Sequence, residues 1–333
     1  MMILWITHRR DSEMSSTSRR GISTALNNAG WDVKFMGPDG DYPVERSQQL
    51  GKGHGSFSRS VSEKLTNMDL DSYTVAIVEW TAIEGASSIL ESQKLPWVIM
   101  DRSPPVSTGI VGYFQRKQYA KAWNIARAKS AGRVVKSAHM ANSQSWEKLS
   151  ATVPAGVDLD AFETAPMNEN PIVVCHGSLD RSRELHRLTK MGVNLLLFGA
   201  GNDSQRLSKM TSVEGVGNVA NKLAGADVGV LHLPNREVWK NASPLKVAEY
   251  AAAGLPVVAS EVSGLEQYRD EDWIQLIPLG DDLACKTALQ KMCKLSVAER
   301  KRLGAMARVE AERSMSWKHC TKTLHEMLLE VKR

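Results

Sequence analysis

Cysteine is scarce in this chain: Cys175, Cys285, Cys293 and Cys320 are all that 333 residues contain. They show no paired spacing and no neighbouring histidine cluster of zinc-ligand type, which argues against a disulfide scaffold or a zinc module and for a reduced, cytoplasmic setting. Cys175 lies within PIVVCHG, a buried-strand pattern in which it serves as a small hydrophobe. Long apolar runs are missing too, none approaching the ~20 residues that span a bilayer. MMILWIT is short and leads into polar residues, so it reads as a first strand and not as a signal segment. Charge excess is small, with a net charge of +5 and a pI of 8.9, and no nucleic-acid motif accompanies it; no nucleic-acid partner is expected. A glycine fingerprint after the first strand is absent, as is a matched acid near the second, which disfavours an NAD enzyme.

What is present is alternation. A length of 333 residues with 42% apolar and 24% charged side chains suits two α/β domains. In the first half, a strand at Ile3 to Thr7 leads through a polar loop to a helix from about Arg19 to Asn28 and a strand at Trp31 to Met36. VAIVEW and PWVIMD follow as buried strands, with a helix around Ala82 to Glu91 between them. Strand ends in open α/β sheets point into the ligand crevice, so Glu79, Asp101 and Arg102 are candidates there, local ion pairing or capping being the other role open to them. Ser15, Ser16, Thr17 and Ser18 ahead of Arg19 and Arg20 can bind an anion or simply cap a helix.

The most informative stretch is NASPLKVAEYAAAGLPVVAS, Asn241 to Ser260. Ser243 suits an N-cap, Pro244 the first helical position and Gly254 a left-handed C-terminal cap, which predicts a helix from Pro244 to Ala253 feeding a buried strand. Lys246 stands in a first turn that normally attracts Asp or Glu. A bound phosphate would account for it, and so would plain exposure. Glu249, on a helix rich in alanine, needs partners: a vicinal diol of ribose or sugar, or an ordinary cation.

Between Arg102 and Lys136 stand eight basic residues and no Asp or Glu, with Tyr113, Phe114, Tyr119 and Trp123 interleaved. On a helix this pattern fits either an anionic membrane surface or an inward-packed aromatic stripe with a solvated basic face.

SPLKVAEYAAAGLPVVAS resembles the donor-sugar segment of retaining GT-B glycosyltransferases of family 4, and the resemblance extends along nearly the whole chain. It implies an α/β GT-B fold: two Rossmann-like domains with an interdomain cleft, an acceptor-side domain at 1–155, a nucleotide-sugar-binding domain at 156–316, and a C-terminal helix, 317–333, crossing back to the first domain. TVPAGVDLDAFE resembles the family's interdomain signature.

By position in that family, Glu249 is the acid that contacts the donor ribose, and Asn241 stands where an acid contacts the transferred sugar. Ser178 and Arg183 fall where an Arg and a Lys clasp the diphosphate, so one cation of two is kept in kind; Arg181 lies close enough to supply the other. The resemblance adds Gly177, Ser243, Pro244, Leu245 and Lys246 to the donor side, with the glycine turn of Gly199 and Gly201, and Gly215 in the segment whose backbone holds the nucleobase. On the acceptor side it places Ser18, Arg19, Arg102 and Glu79. Asn241, Asp101 and Arg183 are the catalytic candidates. The implied activity is metal-independent, cofactor-free glycosyl transfer from a nucleotide sugar to a glycan, lipid-linked or small-molecule hydroxyl; a non-catalytic nucleotide-sugar-binding protein is the alternative.

Overall fold

The computed structural model describes residues 1–11, 13, 16–45, 53–102, 104–105, 107, 109–142, 145–164 and 167–332; Ser15 and Ser103 lie outside the described residues. The chain forms two compact units, Met1–Pro154 with Thr321–Arg333, and Ala155–Cys320.

Short apolar runs buried on both faces make strands of a fully parallel sheet, and both units are built this way. In the first unit β1 (Met2–Ile6), β2 (Asp32–Gly37), β3 (Tyr42–Pro43), β4 (Val75–Glu79), β5 (Trp97–Asp101), β6 (Gly132–Val135) and β7 (Leu149–Thr152) lie in the order β3-β2-β1-β4-β5-β6-β7. The centre of the sheet is set by Ile3, which sits opposite Val33 on one side and Val75 on the other. The helix predicted from Arg19 begins earlier, at Ser16. The last helix, Lys322–Val331, packs its buried Leu324, Met327 and Leu328 in this unit.

The second unit contains β8 (Ile172–Ser178), β9 (Asn194–Ala200), β10 (Ser212–Glu214), β11 (Val228–Leu231), β12 (Val257–Ser260) and β13 (Ile274–Ile277), in the order β10-β9-β8-β11-β12-β13. Both sheets therefore reverse direction once, between β1 and β4 and between β8 and β11. Ligands of such sheets bind at the carboxyl ends of the strands flanking that reversal. At the opposite end, buried Asp227 accepts from the Asn168 side chain and the Ile172 N–H, both at 2.8 Å, and anchors the start of β8.

The short helix Trp317–Cys320 belongs to the second unit, four residues later than the expected boundary. Its Trp317 ring lies so close to Gly156 that a Cβ there would come within 2.7 Å, and Cys320 Sγ lies 3.6 Å from the Ala155 carbonyl. Two regular helices, Asp282–Lys294 and Val297–Glu310, follow β13. The second carries one buried cation, Arg300, whose guanidinium donates to the Asn168 and Leu295 carbonyls.

Candidate functional site

The carboxyl ends of β8 and β9 are shaped by glycine. Gly177 and Gly199 face each other in register and both adopt positive φ, 106° and 143°. A Cβ on Gly199 would stand 1.9 Å from the Gly177 carbonyl oxygen, and one on Gly201 would stand 2.3 Å from the Leu179 carbonyl carbon. A Cβ on Gly177 would meet the Lys246 side chain, 3.0 Å from Cε and 3.1 Å from Nζ. Gly215 has open space around it and no positive φ.

The helix over this corner runs Leu245–Ala252, not Pro244–Ala253. The reason is Ser243, whose hydroxyl accepts the Ala155 N–H at 2.8 Å instead of capping its own helix. Pro244 therefore takes the N-cap place, extended at φ −82° and ψ 116°, and no side chain caps the first turn, which holds no acid. Gly254 adopts the left-handed conformation, φ 69°, that the C-terminus of this helix asks for.

Two cations meet here. Lys246 and Arg183 are each half-buried, and neither side chain has an ion-pair or hydrogen-bond partner among the described residues. Burial lowers the pKa of Lys246, and the nearby charge of Arg183 lowers it further. Burial likewise lowers that of Arg183, whose guanidinium stacks 4.2 Å from the Trp239 ring centre. Desolvated like charges left without counterions are unfavourable, and an anion between them would reverse that cost.

Glu249, a turn further along, stands 3.2 Å from Nε2 of His176 at the end of β8. The imidazole stacks on Phe198 at 5.0 Å and meets the Tyr250 ring edge-on at 5.3 Å. Burial pushes the His176 pKa down more strongly than Glu249 pulls it up, so the ring is neutral near pH 7. Asn241 ends the short helix Glu237–Lys240, its Oδ1 buried and unpaired among the described residues.

Ser178 does not stand free beside these groups. Its hydroxyl donates to Asp180, whose other oxygen accepts the Asn202 N–H at 3.1 Å; these two bonds hold the Asp180 carboxyl below its usual range. Arg181 does not supply the missing charge: its side chain is 76% exposed and leans toward Asp203 at 3.7 Å.

The first-unit candidates are differently placed. Asp101 is fully buried and accepts from the Tyr119 hydroxyl and, at 2.9 Å, from the Trp123 indole. It fastens the helix Gly109–Lys129 to β5 and is shut off from solvent. Arg102 donates to the Val153 and Pro154 carbonyls, tying the end of β5 to the chain leaving β7. Arg19 is buried, donates to Thr7 and to the Arg9 carbonyl, and pairs with Asp11, so it is spent on its own loop. Ser18 lies half-buried in the first turn of Ser16–Asn28. Glu79 stands 3.2 Å from His8; burial would raise its pKa, but His8, Thr7 and Arg9 together hold it below the ordinary value.

Three participants carried no sequence signal. His176 is 73 positions from Glu249 and only strand register unites them, and Trp239 looks like any apolar residue of a short helix. His232, just beyond β11, is buried with Nε2 2.7 Å from Asp282, which sits at the start of the helix Asp282–Lys294. Asp-x-Asp pairs occur at Asp39/Asp41, Asp69/Asp71, Asp158/Asp160 and Asp270/Asp272. Among the described residues no three His, Cys, Asp or Glu gather as a metal site.

A family model described as glycosyl transferases group 1 matches residues 171–294, the stretch holding all six strands of the second unit. Among solved structures, sucrose-phosphate synthase from Thermosynechococcus elongatus superposes with a TM-score of 0.75 at 16% identity, over 99% of this chain and 98% of that one. HepE from Anabaena, in complex with UDP and glucose, gives 0.76 at 14% identity over 99% and 100%. The fold is GT-B. WaaG, a glycosyltransferase involved in lipopolysaccharide biosynthesis, shares this GT-B architecture at 0.71 and 14% identity, over 98% and 99% of the two chains. No curated protein matches the sequence.

Proposed function

We propose that the protein transfers a sugar from a nucleoside-diphosphate donor, held in the second unit, to a hydroxyl acceptor, with retention of configuration and without a metal ion. The observation that carries this reading is the pair Arg183 and Lys246, two desolvated cations with no ion-pair partner among the described residues, beside an uncapped helix start. A diphosphate satisfies all three features at once: it neutralises both charges and accepts from the free N–H groups of Leu245 and Lys246.

In this reading Gly177 and Gly199 let the donor approach the backbone, and Glu249, held in place by His176, accepts the ribose hydroxyls. Asn241 offers its unpaired amide to the transferred sugar. As the glycosidic bond breaks, negative charge builds on the departing diphosphate, and preorganised cations lower the energy of that state as a metal would elsewhere. Retention follows if the acceptor hydroxyl attacks from the face the diphosphate leaves, giving its proton to a phosphate oxygen. The UDP complex of HepE makes UDP the first nucleotide to test. Four unbridged cysteines favour the cytoplasm as the setting.

A second reading, a nucleotide-sugar-binding protein with little turnover, is favoured by Asn241, an amide where the resembled family often carries an acid. Thermal shift with nucleotides and nucleotide sugars, followed by donor hydrolysis with the best binder, separates the two. A shift with sugar release supports transfer, and a shift without release in the presence of acceptors supports binding alone. No shift with any nucleoside diphosphate overturns both.

A further inference from the structure

Two non-glycine residues adopt positive φ among the described residues, Lys94 at 54° and Glu184 at 53°. Lys94 follows the C-cap of the helix Ile83–Ser92, where a left-handed residue is an ordinary way to end a helix. Glu184 stands elsewhere, directly after Arg183 and between the short turns Arg181–Arg183 and Leu185–Lys190, with ψ 33°. Glycine reaches this conformation without the steric cost that a Cβ brings.

Stability gives no reason for that strain. The Glu184 carboxylate pairs with Arg236 at 2.6 Å and with Arg187 at 3.4 Å, and the Glu184 and Arg236 side chains are 29% and 46% exposed. Ion pairs this open to solvent stabilise a fold little. Arg187 is anchored without Glu184, by Asp282 at 2.9 Å and by the Gly280 carbonyl at 2.6 Å. What Glu184 holds by itself is Arg236, for which it is the one acidic partner among the described residues.

Arg236 opens the segment that carries another part of the donor site. It directly precedes the helix Glu237–Lys240, which is too short to keep its shape unaided. That helix delivers Trp239, stacked 4.2 Å from Arg183, and ends at Asn241. The consecutive residues Arg183 and Glu184 thus grip the segment at two places, Trp239 and Arg236. We propose that Glu184 is a positioning residue, clamping Arg236–Asn241 against the loop that bears Arg183 and so fixing the cation that meets the diphosphate relative to the amide that meets the sugar. Backbone strain retained at such a place serves placement. The clamp rests on the donor site proposed above.

The sign of the effect sets a clamp apart from plain charge. By charge alone, deleting the Glu184 carboxylate beside an anion site tightens anion binding, and deleting the Arg236 guanidinium weakens it. A clamp requires both deletions to weaken it. Calorimetric titration with UDP, GDP and ADP, of the full chain and of Glu184→Gly, Arg236→Met and the double variant, reads the difference. Glu184→Gly is expected to melt no lower than the unaltered protein and yet to bind its nucleotide roughly five- to tenfold more weakly; Arg236→Met should show the same loss, and the double variant no more than either. Binding by Glu184→Gly as tight as that of the unaltered protein, or tighter, overturns the clamp and leaves Arg183 and Lys246 in place. Losses that multiply in the double variant overturn it too, as does a Glu184→Gly melt far below the unaltered one, which would give the carboxylate to the fold. No binding of any of the three nucleotides by the unaltered protein overturns the donor site, and the clamp with it.

Discussion

His176 and Glu249 come within 3.2 Å of each other on a neutral imidazole and a half-buried carboxylate. The pair leaves a pH signature. Burial holds the pKa of His176 below its ordinary 6.5, and burial does the same to His232 despite Asp282 beside it. The unfolded chain therefore binds these protons first as pH falls, so stability is whole above about 6.5 and declines below it. Thermal melts from pH 8 to pH 5 should show a falling midpoint, and His176→Gln with His232→Gln should flatten the decline. A midpoint unchanged across that range would contradict the assignment.

Asp101 makes a second prediction, opposite to its reading as a crevice acid. Asp101→Ala strands the Tyr119 hydroxyl and the Trp123 N–H in the interior, at a cost of about 3 kcal/mol. Chemical denaturation should report that loss, and nucleotide binding by the folded variant should be unchanged. A stable variant that has lost only activity would restore Asp101 to the site.

The glycines divide cleanly. Gly199→Ala demands a strained φ and a clash with the Gly177 carbonyl, so it should destabilise the second unit by more than about 2 kcal/mol and impair nucleotide binding. Gly215→Ala meets open space and should change neither. Denaturation and nucleotide titration of the two variants side by side decide the matter.

Lys246 has an alkaline signature. Its charge is held less tightly than that of a free lysine, because burial and Arg183 both oppose it. As pH rises through the lowered pKa the cation disappears, and affinity for a nucleoside diphosphate should fall earlier than an ordinary lysine, at 10.5, would allow. Lys246→Arg, which does not deprotonate, should bind with an affinity that stays level over the same range.

The alternation of apolar runs with helical stretches is local, and so the central strands of the first sheet and those at PIVVCHG and LPVVAS could be read from the residues in advance, whereas the short strands Tyr42–Pro43, Gly132–Val135, Leu149–Thr152 and Ile274–Ile277 were not. The glycine cap at Gly254 was legible for the same reason. Ser243 misled because a hydroxyl one position before a proline looks like a cap whether or not it is taken, and the Ala155 N–H that takes it lies 88 positions away. Asp101 misled because a strand-end acid looks alike whether it faces solvent or receives two donors from the next helix. His176 escaped notice because a histidine in a buried strand acquires meaning only from what the register sets beside it. Similarly, eight cations in 35 positions look like one basic surface until Glu84 and Glu91 are found holding two of them.

Calorimetric titration of the full chain with UDP, GDP and ADP, repeated on Arg183→Ala, Lys246→Ala and the double variant, bears most directly on the donor site. One nucleotide should bind, and each single change should weaken it roughly thirty-fold, about 2 kcal/mol for a lost charge-assisted contact. The double variant should lose binding while keeping the wild-type fold, or gain stability, because two uncompensated cations have gone. Binding that survives the double change, or no binding of any of the three by the unaltered protein, would contradict a diphosphate held between Arg183 and Lys246.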